Sequence, residues 1–116
     1  MILKQFNNIK GREGEELAAK YLKKHGYKIL DKNYTCPIGE IDIVASIAGY
    51  LVFVEVKARE DEIFGRPSEA VDEFKQRKLY NLALMYQRTK KLADMPVRFD
   101  VVEVLDDEIN HIKNAF

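Results

Sequence analysis

The sequence of 116 residues lacks several features that define common classes of protein. It has one cysteine, Cys36, which excludes an internal disulfide and a cysteine-rich zinc site. No run of about 18 apolar residues is present, which excludes a membrane-spanning helix, and residues 1–10 lack the pattern of a signal peptide. We therefore expect a cytoplasmic protein that does not enter the membrane, folded as a single domain over residues 1–116.

Common catalytic and cofactor signatures are also absent. The chain has no nucleophile-elbow serine, no P-loop and no dinucleotide-binding fingerprint. Its two histidines, His25 and His111, are too isolated in the sequence to suggest a metal site or a general base.

The net charge is zero, but the charges are unevenly distributed along the chain. Residues 36–74 hold nine Asp or Glu against three Lys or Arg, whereas residues 75–91 hold six basic residues and no acidic one. An acidic centre flanked by basic segments suits a site that binds cations and then a polyanion. The alternative interpretation is that the charged blocks are ordinary solvated helix faces.

The hydrophobic patterns predict a helix, three strands, a second helix and one or two further strands. Helices are expected over residues 10–25 and, after a charged loop at 59–67, from an N-cap at Ser68 to about residue 91. Strands are expected over residues 27–34, 40–47, 50–58, 97–105 and 109–113. This succession indicates an α/β fold with a mixed sheet.

Three charged residues occupy strand segments in which apolar residues are the norm. Glu55 and Lys57 lie within YLVFVEVKA and should share one face of the sheet. A turn at Ala48-Gly49 would place Asp42 beside Glu55. Because adjacent carboxylates repel each other, a divalent cation such as Mg²⁺ or Mn²⁺ would stabilise the pair, and Mg²⁺ suits one or two carboxylates plus phosphate oxygens.

Lys57 follows Glu55 by two residues, and from there it would hold a metal-activated water or stabilise charge on a phosphate. The alternative interpretation is a simple ion pair between Glu55 and Lys57 on a partly exposed strand. A short E-x-K motif does not by itself distinguish these two interpretations, but the nearby Asp42 favours the functional one.

Glu15 is a further candidate because of its position on the first helix. It shares a helical face with Ala18 and Leu22 and should point inward, whereas Glu16 belongs to the solvent face. A carboxylate on the inward face is a candidate catalytic residue. A cap at the start of the helix is the alternative role.

The strand at 40–47 alternates in character. Glu40 and Asp42 should share one face, with Ile41 and Ile43 on the other. Glu40 is then either an outer partner of the metal site or the exposed first residue of the strand.

The second helix begins with a basic segment that is a candidate nucleic-acid contact. Its side chains would bind backbone phosphates or reach toward the metal site, unless they form a solvated face. The candidate residues are Lys75, Gln76, Arg77 and Lys78. Tyr80 and Tyr86 could stack on bases, although Tyr86 fits the packing stripe of the helix better.

Four segments in order, GREGEELAAKYL, GEIDIVA, VFVEVKAR and RFDVVEV, resemble the YraN-like uncharacterised bacterial proteins. That family is similar to the PD-(D/E)xK nuclease superfamily, and most like its Holliday-junction resolvase branch. The resemblance implies a restriction-endonuclease-like fold, with a mixed central sheet flanked by helices. Ile41 stands where the motif's name has proline.

The resemblance also implies site residues and an activity. The superfamily's metal-binding aspartate falls on Asp42, its second acid on Glu55, its lysine on Lys57 and its helical glutamate on Glu15. The implied activity is metal-dependent cleavage of branched or damaged DNA in repair or recombination, by a symmetric homodimer. The alternative is a non-catalytic nucleic-acid-binding or adaptor module within a repair or recombination complex.

Overall fold

A computed structural model describes the backbone of residues 2–59, 72–106 and 108–116, and the side chains of 12–58, 72–106 and 108–116. The elements in chain order are α1 (Ile2–Lys24), β1 (Lys28–Cys36), β2 (Gly39–Ile47), β3 (Tyr50–Arg59), α2 (Glu73–Lys90), β4 (Val97–Leu105) and β5 (Glu108–Ile112). Neither helix in these ranges combines the length and apolarity needed to span a bilayer.

The strands form one mixed sheet in the order β1-β2-β3-β4-β5. β1, β2 and β3 pair antiparallel through two-residue turns, β4 pairs parallel with β3, and β5 returns antiparallel along β4. The parallel pair needs a crossover, which contains α2. β3 therefore occupies the centre of the sheet, as its nearly continuous apolar sequence predicts.

The sheet is covered by one helix on each face. On one face, Ala18, Ala19 and Leu22 of α1 pack against the buried valines of β3 and β4. On the other, α2 contributes Leu79, Leu82, Ala83 and Tyr86 to a cluster around Phe53 and Phe99. The predicted α/β architecture with a mixed sheet is therefore confirmed.

Two predicted helix starts differ from the structure. α1 begins at Ile2 rather than at residue 10, because Asn7 and Asn8, which have low helix propensity, precede the predicted start. α2 begins at Glu73 rather than after Ser68, with Asp72 as its N-cap accepting a hydrogen bond from the Lys75 amide at 2.9 Å. Of the charged loop predicted at 59–67, Arg59 is instead the last residue of β3, and residues 60–67 lie outside the described residues, as does Ser68.

The prediction that Ile41 and Ile43 share one face of the sheet is wrong. Ile41 packs in the cluster on the α2 face, and Ile43 packs in the cluster on the α1 face. The regular alternation is interrupted opposite Asn33 of β1. This residue lies between the Lys32–Ile43 and Tyr34–Ile41 pairs and has a left-handed φ of 53°. Such a backbone conformation breaks the regular pleat, so the partner strand changes face at the residue between the two isoleucines.

Gly14 sets how closely α1 approaches the sheet. A Cβ at this position would lie 2.5 Å from the Cβ of Ala58 on β3, much closer than two carbon atoms can pack. Glycine lowers helix propensity by about 1 kcal/mol relative to alanine, so its presence here is explained by the contact and not by the helix. The next residue, Glu15, is near enough to Glu55 on β3 for the two charges to interact.

Gly14→Ala should therefore destabilise the protein despite its higher helix propensity. The added methyl group overpacks the contact with Ala58, and we expect a loss of about 1–3 kcal/mol in the free energy of unfolding, measured by urea denaturation. The double variant Gly14→Ala, Ala58→Gly should recover part of that loss. Equal or greater stability of the single variant would contradict the close packing.

Candidate active site

The candidate site lies where β2 and β3 run past their last paired residues. The ladder joins Ile43 to Val54, and one further step along the same register sets Asp42 opposite Glu55. At this step the Asp42 carboxylate accepts a hydrogen bond from the backbone amide of Val56 at 2.8 Å. The Ala48-Gly49 turn, with φ of 50° and 84°, fixes this register, so the predicted hairpin brings the two acids together.

Glu55 is a buried carboxylate held by two lysines. Its exposed fraction is 8%, and its Oε1 lies 2.6 Å from the Nζ of Lys75 and 3.4 Å from the Nζ of Lys57. Lys57 follows Glu55 on β3, and Lys75 arrives from the first turn of α2. The structure thus brings together Asp42, Glu55 and Lys57, and it adds Lys75 as a direct partner of Glu55.

The Asp42 carboxyl group has a strongly raised pKa. Burial is the largest cause, followed by the negative charges of Glu55 and Glu15, and together they raise the pKa to about 7. The hydrogen bond from Val56 and the charge of Lys75 oppose this shift without cancelling it. The ionised form of Asp42 is therefore disfavoured both by burial and by the acids around it.

The two lysines have pKa values shifted in opposite directions. Burial lowers the pKa of Lys57, and the nearby ammonium group of Lys75 lowers it further. Burial is the largest single effect on Lys75 and opposes its charged form, but the hydrogen bonds to Glu55 and Lys57 and the charges of Glu55 and Asp42 together outweigh it and raise the pKa of Lys75. Lys57 is therefore the lysine that releases a proton more readily, and Lys75 is the permanent counter-ion of Glu55.

Glu15 and Glu40 lie at the acidic side of the site. Glu15 is half-buried on α1 and accepts a hydrogen bond from the side chain of Asn33, while Glu16 is exposed as predicted. Burial raises the pKa of Glu15, and the charges of Glu40 and Glu55 raise it further. Glu40 itself is exposed, so it contributes to the field of the site from the solvent side.

The basic segment of α2 divides into three environments. Lys75 contacts Glu55, and Gln76 is half-buried. Arg77 and Lys78 are exposed, and Lys78 lines a cleft of about 290 Å³ together with Glu40 and Lys75. Of the four predicted residues, two therefore border the cleft beside Glu55.

The two tyrosines serve packing: Tyr86 is 2% exposed in the core, and Tyr80 packs on Phe99 and Phe116.

The acids fit a metal that retains water rather than one held entirely by protein. Within the described residues, no group of three or more His, Cys, Asp or Glu side chains is arranged to hold a metal ion. Asp42 and Glu55 supply two carboxylates, which is the number that Mg²⁺ uses in sites completed by water and substrate phosphates. The donor set is thus compatible with Mg²⁺ or Mn²⁺ and unsuited to a closed structural zinc site.

A buried network around Asp100 was missed by the sequence predictions. Asp100 is fully buried on β4, and its carboxylate contacts Arg98 at 2.8 Å, the ring of His111 at 2.7 Å and the amide of Asn114 at 3.0 Å. Although burial opposes ionisation, the hydrogen bonds of His111 and Arg98 lower the pKa of Asp100 to about 2. His111, isolated in the sequence, is therefore a partner in this network, which fixes the C-terminal segment to β4.

Glu103 is a second buried acid that the sequence predictions did not single out. It is 4% exposed, stands beside Lys57 in the parallel ladder, and accepts a hydrogen bond from Asn110 at 2.5 Å. Both missed acids carry the signal that identified Glu55, a charged residue inside an apolar strand, here the segment VRFDVVEVL.

Comparison with known proteins places this site within a family. The profile of the uncharacterised protein family UPF0102 matches residues 14–104, which include every residue of the candidate site. The chain belongs to this family. A UPF0102 protein of Thermodesulfovibrio yellowstonii is 50% identical over 106 residues, covering 91% of this chain and 94% of the relative. A UPF0102 protein of Clostridium perfringens is 45% identical over 120 residues, covering 98% of both chains.

Membership in UPF0102 confirms the YraN-like resemblance that the four sequence segments indicated. A further relative, from Caldanaerobacter subterraneus, is 49% identical over 91% of this chain and 93% of its own length. The names of these relatives give the same family and state no activity. The link to nucleases, and the roles of the site residues, therefore stay predictions.

Asp42→Asn should stabilise the protein at alkaline pH. Because the pKa of Asp42 is about 7 in the folded protein and 3.8 ordinarily, the folded state binds more protons between these values, and stability falls as pH rises through this window. Asparagine keeps an acceptor for the Val56 amide and carries no charge. In urea denaturation without divalent metal, we expect a gain on the order of 2 kcal/mol at about pH 8, shrinking toward zero near pH 4.

The matched control is Asp94→Asn, which changes an exposed aspartate in the α2–β4 connection. Its stability should follow the wild type at every pH. A loss of stability in Asp42→Asn at alkaline pH would show that the Asp42 charge is fully compensated within the fold.

Proposed function

We propose that this protein is a metal-dependent DNA endonuclease that hydrolyses phosphodiester bonds, with a restriction-endonuclease-like fold. The observation that carries the proposal is the placement of Asp42 opposite Glu55, with Lys57 3.4 Å from the Glu55 carboxylate. A pair of carboxylates with an adjacent lysine, on a hairpin at the edge of an open cleft, matches the chemistry of phosphoryl transfer to water. The mixed sheet between two helices is compatible with the fold that the resemblance implies.

The reaction adds one water molecule across a P–O bond and yields a phosphate monoester and a free hydroxyl group. Asp42 and Glu55 would hold Mg²⁺, which when bound polarises the phosphate and lowers the pKa of its water. Asp42 must be ionised to serve as a ligand, so its raised pKa makes metal binding sensitive to pH near neutrality.

Lys57 would orient the attacking water and stabilise negative charge on the phosphate oxygens. Its pKa is lowered whereas that of Lys75 is raised, so Lys57 is the lysine that gives up a proton more readily. Lys75 would hold Glu55 in position and, as an ammonium group, contribute positive charge beside the phosphate. Glu15 lies close enough to Asp42 to influence its pKa, and we assign it to the same site.

Replacement of Lys57 should abolish most of the cleavage. We expect metal-dependent cleavage of single-stranded, duplex, flapped or four-way-junction DNA in Mg²⁺ or Mn²⁺, none in EDTA, and a loss of about 10²- to 10³-fold in Lys57→Ala. Lys57→Met, which retains the length of the side chain, should lose activity equally while keeping the packing. Thermal unfolding of both variants shows whether they are folded.

Lys28→Ala is the control, since it removes an exposed lysine that also lies on a strand. It should cleave at the wild-type rate. Wild-type activity in Lys57→Ala would remove Lys57 from the mechanism, and activity that persists in EDTA would remove the metal.

A non-catalytic nucleic-acid-binding module is the second candidate, and one observation favours it. Glu55 is already paired with two ammonium groups, so half of the acidic pair is neutralised without any metal. Such a module would bind DNA and leave it intact on every substrate above. DNA binding with no cleavage in either metal would favour this function over the endonuclease.

By resemblance to junction resolvases, we further propose that the protein works as a symmetric homodimer on branched DNA. Two active sites related by a twofold axis suit a junction with two equivalent strands. Analytical sedimentation should show a dimer, and a monomer at all concentrations would contradict this part of the proposal.

A further inference from the structure

The cleft beside the candidate site has an aromatic residue that no core packing explains. Phe74, in the first turn of α2, is 77% exposed and lines the cleft of about 290 Å³ that also contains Lys75. The next residue along the chain, Lys75, contacts Glu55 at 2.6 Å. The exposed ring of Phe74 therefore lines the same cleft as Lys75, the lysine that contacts Glu55.

Part of the cleft lining is apolar. Leu79 and Leu82, which are 3% and 2% exposed, belong to the α2 core cluster and line the same cleft as Phe74. An exposed aromatic ring beside an apolar surface forms a platform on which a flat heterocycle stacks. A regular duplex keeps its bases stacked inside the helix, so only an unpaired base can reach such a platform.

The basic and acidic residues that line the cleft suit different parts of a nucleotide. Lys78 is exposed and Lys75 is partly exposed, and both can bind phosphate oxygens. Glu40 and Asp72 also line the cleft, and their carboxylates repel phosphate while accepting hydrogen bonds from the N–H groups of a base. The cleft thus offers a base an aromatic ring and hydrogen-bond acceptors, and offers its phosphates two lysines.

We propose that this cleft binds an unpaired nucleotide of the DNA substrate, with its base stacked on Phe74 and its phosphate on Lys78. The inference rests on the proposed endonuclease function and deepens it, because it assigns the substrate class: DNA with a single-stranded segment next to the scissile phosphate. Binding of the base beside Lys75 would position the adjoining phosphodiester over Asp42 and Glu55.

The chain contains no tryptophan, which allows a direct test. Phe74→Trp introduces the only tryptophan, which can be excited selectively over the six tyrosines and whose emission stacking bases quench. In EDTA at low salt, an oligothymidylate of about twelve nucleotides should quench its emission saturably, while a duplex of the same length should not. Tyr50→Trp, at a 41% exposed position at the start of β3 and outside the cleft, should be unaffected.

Affinity measured by fluorescence anisotropy gives a second readout. Phe74→Ala should weaken binding of the oligothymidylate about tenfold, and Phe74→Tyr should retain it. Lys78→Ala should reduce the slope of log affinity against log salt by about 0.7. Equal quenching by the duplex, no saturable quenching, or unchanged affinity in Phe74→Ala would each overturn the nucleotide site.

The measurements in EDTA separate this inference from the endonuclease proposal. Quenching without cleavage in any metal would support the nucleotide site and reject the endonuclease. Metal-dependent cleavage without quenching would reject the nucleotide site alone.

Discussion

Asp42 and Glu55 lie opposite each other at the open end of the β2–β3 hairpin, away from its turn. Two adjacent carboxylates that are removed from water repel each other. The fold relieves this repulsion on one side only. Lys75 and Lys57 neutralise Glu55, whereas Asp42 has a backbone amide as its hydrogen-bond donor and a pKa raised to about 7. The rest of the site is arranged around this uneven compensation, which a divalent cation would complete.

The elements around the hairpin keep this arrangement in place. β3 is central in the sheet and is buried over residues 51–55, so Glu55 has no freedom to turn toward solvent. Gly14 allows α1 to approach β3 and brings Glu15 to the site. The Asp72 cap starts α2 where Lys75 can reach Glu55. Each of these features acts on stability and on the charges of the site together.

Much of the fold and of the candidate site could be predicted from the sequence because the decisive signals are local. Strand periodicity put Glu55 and Lys57 on one face, and the turn at Ala48-Gly49 fixed the register that brings Asp42 beside them. The family resemblance pointed to the same three residues, and membership in UPF0102 is now established.

The features that the sequence did not predict depend on contacts between distant segments. The hydroxyl group of Tyr27 contacts both Asp100 and Arg98 across more than 70 residues of sequence, so no short window contains that network. The contact of Lys75 with Glu55 depends on how α2 docks on the sheet. The change of face at Asp42 depends on the backbone of Asn33 in the neighbouring strand, which alternation within one strand cannot reveal.

Calorimetric titration with Mn²⁺ tests most directly whether Asp42 and Glu55 form a cation site. Mn²⁺ binding to the wild type should strengthen as pH rises through about 7, because Asp42 must lose its proton. Asp42→Asn should weaken binding by at least about tenfold, since even the outer partners of metal ligands contribute roughly 10–100-fold, and Asp94→Asn should bind as the wild type does. Equal Mn²⁺ affinity in Asp42→Asn and the wild type would contradict the account.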